Sequence, residues 1–481
     1  MKKNIFYIVL IFVLAGINFS CKKALQEKAY SILTPETFYK TKSDANAALN
    51  AVFAALIHQN YYQRTVYMVG DLPGDIIRPS NTNNARVQLY QCAYNATNGE
   101  IANWWLRGYS MIQRANDVIT YVPTISSTEL IDKDKNNIVG NASFLRALGY
   151  FNLVKSFGDV PLVLDVKNGE LFPARAAAAD VYTQVIKDLE YAEINCVHLN
   201  EIPAEEIGRI SKEAAQALLA RVYLQKASTS FGTMADNQKA ADYCNKVIAY
   251  SNSNPGILKL SPNYEAIFNP NTKNGTECIL SAQFTDAYGN IQANITKQMF
   301  TPPALGGFGT LIGLSDYYNS YSAQDSIRRK VNIGYFYNSI NYISKYYDAG
   351  VPGASYGRNN FIVLRFADVL LMQSEALNNI GSGDANKFIG INKVRQRAMP
   401  GSAPLSFVNT ATSADFINAI SNERRWEFSV EGHRRWDLIR LKKLKAVKVA
   451  QGFAFEDFKL LFPLPQIEMD VNPNLVQNPG Y

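Results

Sequence analysis

Histidine is almost missing from this chain: His58, His198 and His433 are the whole complement in 481 residues. No HExxH pattern occurs and no two histidines are neighbours, so the sequence offers no histidine-built zinc centre, and each histidine is read as a satisfied polar or surface residue. Cysteine is scarce as well. Cys21, Cys92, Cys196, Cys244 and Cys278 are widely spaced with no CxxC, which gives neither a metal nor a redox motif. The last four read as mostly buried thiols, with one disulfide open in an oxidising envelope. Charged residues make up only 19% and the net charge of +7 is mild for this length, so nothing demands a nucleic-acid partner. Gly306-Gly307-Phe308-Gly309 lacks the Lys-Ser/Thr of a phosphate loop. Asp132-Lys133-Asp134-Lys135-Asn136 starts like a calcium loop, but Asn137 replaces the glycine and Ser143 the bidentate glutamate, so it is read as a solvated turn. No cofactor and no metal is expected.

Long apolar runs are also lacking, with one exception. Lys2 and Lys3 precede an apolar stretch from Ile5 to Ile17. As a helix it reaches only about 20 Å, short of the ~30 Å hydrocarbon core of a bilayer. A basic start, a short apolar run, Gly16, Ser20 and then Cys21 form a secretory signal of the bacterial lipoprotein kind. Cys21 is the expected lipid acceptor, although Asn18 stands where an aliphatic residue is usual. Each buried CH₂ of a lipid chain contributes about 0.8 kcal/mol, so an acylated Cys21 anchors the chain to a membrane that it does not cross.

What is abundant is apolar and aromatic: 47% hydrophobic residues, 28 tyrosines and 25 phenylalanines. The chain divides into a signal peptide (1–20), a tether (21–33), an N-terminal helical part (34–250), a loop-rich lobe (251–361) and a C-terminal helical part (362–481). Helical signals begin at Thr34-Pro35-Glu36. Ser43 is expected to cap a second helix with Ala48, Leu49, Val52, Phe53, Leu56 and Ile57 on one face. From Asp71 to Asn98 glycine, proline and asparagine predict a long loop, and Trp104 to Val122 is helical again. The runs 144–151, 217–224 and 367–376 alternate small and large apolar residues at helical spacing. Amphipathic stretches around 180–194, 239–250 and 385–398 pair with them, in the manner of tetratricopeptide-like stacking or a generic helical bundle. Between 251 and 361 the helical period disappears, and residues 284–361 hold ten of the 28 tyrosines.

The C-terminal region carries the sharpest pattern. Asn422-Glu423-Arg424-Arg425-Trp426-Glu427-Phe428-Ser429-Val430-Glu431-Gly432-His433-Arg434-Arg435-Trp436-Asp437-Leu438-Ile439-Arg440 reads as a helix with Glu423, Glu427 and Glu431 stacked four apart on one face. Arginines beside them keep the carboxylates ionised, which suits structural ion pairs and not a general acid. Phe462-Pro463-Leu464-Pro465 and Asn472-Pro473-Asn474-Leu475-Val476-Gln477-Asn478-Pro479-Gly480-Tyr481 close the chain. The charged block and this ending, with Arg365-Phe366-Ala367-Asp368-Val369-Leu370-Leu371, resemble the SusD/RagB family of outer-membrane nutrient-binding lipoproteins.

The resemblance implies a mainly α fold: about four tetratricopeptide-like helix pairs with a loop-rich inserted lobe containing short strands. It implies a non-catalytic surface lipoprotein that binds a nutrient, most simply a glycan, and delivers it to a SusC-like TonB-dependent transporter of the outer membrane. It places ligand contacts in the 75–90 loop and the Tyr-rich lobe. Tyrosine offers a flat apolar face with a hydroxyl, while Asn, Asp and Arg give directional hydrogen bonds, the chemistry a sugar needs. The expected contacts are therefore Asp75, Arg78, Asn81, Asn83, Arg86, Tyr90, Tyr288, Tyr317, Tyr318, Tyr335 and Tyr337. Trp104, Trp105, Trp426 and Trp436 all fall in expected scaffold helices, which argues against a starch-like ligand bound on tryptophan platforms. A peptide ligand, as in RagB-like members, and an envelope glycoside hydrolase are the alternative readings. Lys22 and Lys23 stand where exported members often have acidic residues, which leaves surface or periplasmic orientation open.

Overall fold

The computed structural model describes residues 34–165, 169–284, 294–351 and 356–481. The signal segment, Cys21, the tether and Tyr288 lie outside the described residues. Eight helices form the scaffold: α1 (Lys42–Leu56), α2 (Gly99–Tyr121), α3 (Asp132–Phe157), α4 (Ala178–Asn195), α5 (Lys212–Ala227), α6 (Met234–Ser253), α7 (Phe366–Ile380) and α8 (Lys387–Ala398). They pack as the pairs α1/α2, α3/α4, α5/α6 and α7/α8, and each pair leans on the next through α2/α3, α4/α5 and α6/α7. This is the tetratricopeptide-like stack, although the last pair follows the inserted lobe in sequence.

The local causes are readable. Thr41 and not Ser43 caps α1: its hydroxyl accepts from the Asp44 N–H (3.2 Å), and the Asp44 carboxylate accepts from the Thr41 N–H (2.8 Å). Ala45, Ala48, Leu49, Val52 and Leu56 form the buried face of α1. Small residues set the spacing between helices. A Cβ at Gly149 would stand 2.8 Å from Ile112 on α2, and one at Gly390 would stand 2.3 Å from the Leu370 carbonyl oxygen on α7. The Asp132–Asn136 stretch is no turn; it opens α3, where Asp132 and Asp134 complement the helix dipole.

Among the described residues, eight short strands accompany the helices: β1 (Ile77–Pro79), β2 (Val160–Pro161), β3 (Arg175–Ala176), β4 (Cys278–Ala282), β5 (Leu311–Gly313), β6 (Tyr335–Tyr337), β7 (Ile340–Tyr342) and β8 (Phe361–Arg365). They pair antiparallel as β1–β5, β2–β3, β4–β8 and β6–β7. Cys92, Cys196, Cys244 and Cys278 are free thiols.

The charged C-terminal block departs from the expected single helix. It folds as α9 (Ser413–Glu427) and α10 (Arg434–Arg440) around a turn in which Val430 and Gly432 take positive φ (55° and 77°). The buried carboxylate of Asp71 holds that turn, accepting from the Gly432 N–H at 2.7 Å. Glu431 therefore lies beyond the end of α9, yet it still converges with its two relatives. Arg365 donates to Glu277 (2.7 Å), to Glu427 (2.5 Å) and to Glu431 (2.8 Å), all buried. Arg328 donates to Glu423 (2.6 Å) and Glu427 (3.1 Å). Lys345 completes the cluster on Glu431 at 2.6 Å. The partners of the three glutamates thus come from the lobe and the last helix pair. Arg424, from the block itself, instead bridges Asp368 (2.6 Å) and Asp437 (2.8 Å).

The closing residues act as a clasp. The Gln477 amide accepts from the Leu464 N–H (2.8 Å) and donates to its carbonyl (3.0 Å). The Asn478 amide donates to the carbonyls of Phe157 (2.9 Å) and Phe462 (2.8 Å), tying the chain end to the last residue of α3.

Candidate ligand-binding face

β1 and β5 bring together the two regions singled out in the sequence. In β1, Ile77 and Pro79 are buried and Arg78 between them is exposed, the alternation a strand imposes. Arg78 lies opposite Ile312 of β5, and the pairing runs on through the Ser80 N–H, which donates to the Thr310 carbonyl at 3.0 Å. Phe308, just before β5, is 59% exposed. β5 in turn lies beside the β6–β7 hairpin, since Gly313 abuts Ile333 and the Asn341 carbonyl. Asn338 and Ser339 make the hairpin turn with positive φ (48° and 61°), the conformation that two-residue hairpins require. Phe336 (69% exposed) and Tyr337 (40% exposed) are presented on β6.

Residues 71–98 are not loop throughout. Asn83 caps a helix over Asn84–Gln91 by accepting from the Arg86 N–H at 3.2 Å, and the Asn81 side chain accepts from the Asn83 N–H at 3.2 Å. That helix supplies Tyr90, whose ring meets Phe453 edge-on at 5.2 Å. Burial pushes the Tyr90 hydroxyl up, the charge of Arg78 pulls it down, and Asp316 pushes it up. Arg78 on β1 and Asp316 on the short helix Ser315–Asn319 therefore lie within electrostatic reach of Tyr90.

The expected contacts do not all share this surface. Asp75 lies underneath: its carboxylate accepts two hydrogen bonds from Arg434 (2.7 and 2.9 Å) and pairs with Arg425 at 3.2 Å. Tyr317 is fully buried (0% exposed), hydrogen-bonded to Tyr321 with the Arg425 guanidinium over its ring at 5.2 Å. The reason is helical phase: on Ser315–Asn319 residue 317 turns inward, while Asp316 is exposed and Tyr318 is half-buried under the Arg329 guanidinium at 5.4 Å. Arg86 is half-buried and turned toward Glu100 and Arg64, where burial depresses its pKa. Tyr335 lies at the other end of the hairpin, edge-on to Tyr347 at 5.3 Å. Tyr288 lies outside the described residues. Sequence reading missed Asp316, Phe308 and Phe336. Asp316 had a signal in the helical period of 315–319, and the two phenylalanines had none beyond their type. Trp104, Trp105 and Trp436 are buried and Trp426 is half-buried, so none of the four offers an open platform.

The fold defined by this helix-pair stack and its inserted lobe is shared by solved structures. A SusD homolog from Bacteroides thetaiotaomicron superposes with a TM-score of 0.80 at 22% identity, covering 93% of this chain and 98% of that one. A laminarin-binding SusD-like protein gives a TM-score of 0.77 at 25% identity, covering 92% of this chain and all of the other. The profile described as SusD family matches residues 309–481, and the profile described as starch-binding associating with outer membrane matches residues 24–224. SusD-like protein P2 of Formosa agariphila is 30% identical over an alignment 539 positions long, covering the full length of both chains. The chain belongs to the SusD/RagB family.

Proposed function

We propose that this protein is a non-catalytic glycan-binding lipoprotein of the outer membrane, anchored through Cys21, that holds an oligosaccharide for a SusC-like TonB-dependent transporter. The observation that carries this reading is the proximity of Arg78, Tyr90 and Asp316 at the β1–β5 face, with Phe308, Phe336 and Tyr337 exposed on the lobe. Arg78 and Asp316 balance in charge, so the face suits neutral polar ligands. Aromatic faces take the C–H surface of a sugar ring, and Arg78, Asn81 and Asp316 reach its hydroxyls. The face is open, so each sugar unit contributes little and affinity accumulates along an oligosaccharide, which suits reversible capture and release. The laminarin-binding relative and the starch-binding wording of the matched profile support a carbohydrate as the ligand class. Native gels cast with laminarin, starch or other soluble polysaccharides test the proposal: one of them is expected to retard the protein. Retention of peptides with no retardation by any polysaccharide would replace the glycan with a peptide. Release of reducing sugar by the purified protein would contradict a non-catalytic role.

A further inference from the structure

On the far side of the β6–β7 hairpin lies a cavity of about 320 Å³, separate from the β1–β5 face. Its walls come from the lobe and from β8's approach, and no residue of the 75–90 stretch reaches it. Tyr335 and Tyr347 stand edge-to-face in the wall, with ring centroids 5.3 Å apart. Neither tyrosine hydroxyl, nor the side-chain amide of Asn271, which also lines the cavity, has a hydrogen-bond partner among the described residues. The charges of the lining are largely matched internally. Arg358 clamps Asp348 with two bonds (2.9 and 2.8 Å), and the ammonium of Lys345 is turned inward to Glu431 at 2.6 Å. Lys330 and Glu265 add one charge of each sign at the rim.

A concave site of this volume lies at the small end of ligand pockets. With aromatic faces, unspent hydroxyl and amide groups and no net charge, it selects for a neutral, polyhydroxylated molecule of about one sugar ring. We infer that this cavity is a second carbohydrate site, taking a single neutral sugar unit independently of the Arg78 face. The inference extends the glycan-binding reading to a site that reading does not use. In function, two sites on either side of one hairpin let the protein hold two points of a branched or folded glycan, which raises avidity without new contacts at either site.

Saturation-transfer NMR on the full mature chain tests it, with methyl glycosides of glucose, galactose, mannose and xylose as probes at low millimolar concentration. At least one glycoside is expected to receive saturation from the wild type and still to receive it, through the cavity, from Arg78→Ala. Loss of one stacking partner corresponds to roughly 3- to 10-fold weaker binding, so Tyr335→Ala should lower the signal by that factor. Asn271→Ala, an exposed substitution that leaves the fold untouched, should lower it too. The proposal is overturned if no glycoside receives saturation, or if the signal falls in Arg78→Ala and stays in Tyr335→Ala and Asn271→Ala. In that second case the Arg78 face stands and the cavity fails. Glycoside binding through Tyr335 with polysaccharide retardation indifferent to Arg78 would do the reverse.

Discussion

Arg434 grips Asp75 with a two-pronged ion pair at 2.7 and 2.9 Å, across 359 residues of chain. The charged block thereby holds the segment that leads directly into β1 and Arg78. Removing one partner of such a pair leaves a largely buried guanidinium uncompensated, at a cost of about 3 kcal/mol or more. Asp75→Ala should therefore lower the urea midpoint and also weaken binding at the face, because β1 loses its anchor. Unchanged unfolding would mean that Asp75 is free to serve a ligand instead.

Glu427 sits at the centre of the buried cluster, accepting from Arg328, Arg365 and Arg397. Glu427→Ala removes the carboxylate that Arg328, Arg365 and Arg397 share, leaving each with its other acidic partners but the buried cluster with an excess of positive charge, and should cost ~3–5 kcal/mol of stability. Binding per folded molecule should stay at the wild-type value. A variant as stable as wild type but unable to bind would show that the cluster is part of the ligand site.

The same network sets the acid response. Burial pushes Glu431 and Asp437 up, but Arg365 and Lys345 outweigh it for Glu431, and Arg424 and Arg440 for Asp437. Both end below their ordinary values, Asp437 at about 2. A depressed carboxylate stabilises the fold above its unfolded pKa, near 4, and that contribution drains away as pH falls through the folded value. Tm should thus drop steeply below pH ~4. Asp71 works with the opposite sign. Burial raises it to about 7, so its share is present below the ordinary 3.8 and is lost as pH climbs toward 7. Asp71→Asn should flatten the slope of Tm against pH across that interval; an unaltered slope would show that Asp71 stays ionised.

The proposed acylation at Cys21 rests on the short apolar run Ile5–Ile17 followed by Ser20-Cys21. Cells expressing Cys21→Ala should yield the protein without radiolabelled palmitate and in the soluble fraction. Label retained by that variant would remove the anchor from the account. Protease shaving of intact cells separates surface from periplasmic display.

Much of this architecture was legible in the sequence because it rests on local pattern. Alternating small and large residues marked α3, α5 and α7; Gly149 on α3 shows why a small residue was needed there, and Gly390 on α8 does the same where that helix meets α7. The glutamates of the charged block were recognisable as structural, but their partners were not. Arg328 lies 95 residues from Glu423, and only the fold reveals that it faces it. The break at Val430–Gly432 was hidden because it is held by Asp71, 361 residues away. For the proposed ligand face, composition singled out stretches that the fold brings side by side, without distinguishing surface from buried layers. Tyrosine is equally at home with its ring buried and its hydroxyl bonded, as in Tyr317, or half-exposed, as in Tyr318. β1 and β5 are three residues each, too short for any periodicity to register.

The most direct measurement is affinity electrophoresis of the mature protein and an Arg78→Ala/Tyr90→Ala double variant in gels containing the polysaccharide that retards the wild type. Two contacts of this kind together contribute roughly 1–3 kcal/mol, so the variant should bind at least several-fold more weakly while its circular dichroism and Tm stay within a degree or so of wild type. Equal retardation of a folded double variant would contradict the account and move glycan capture away from the β1–β5 face.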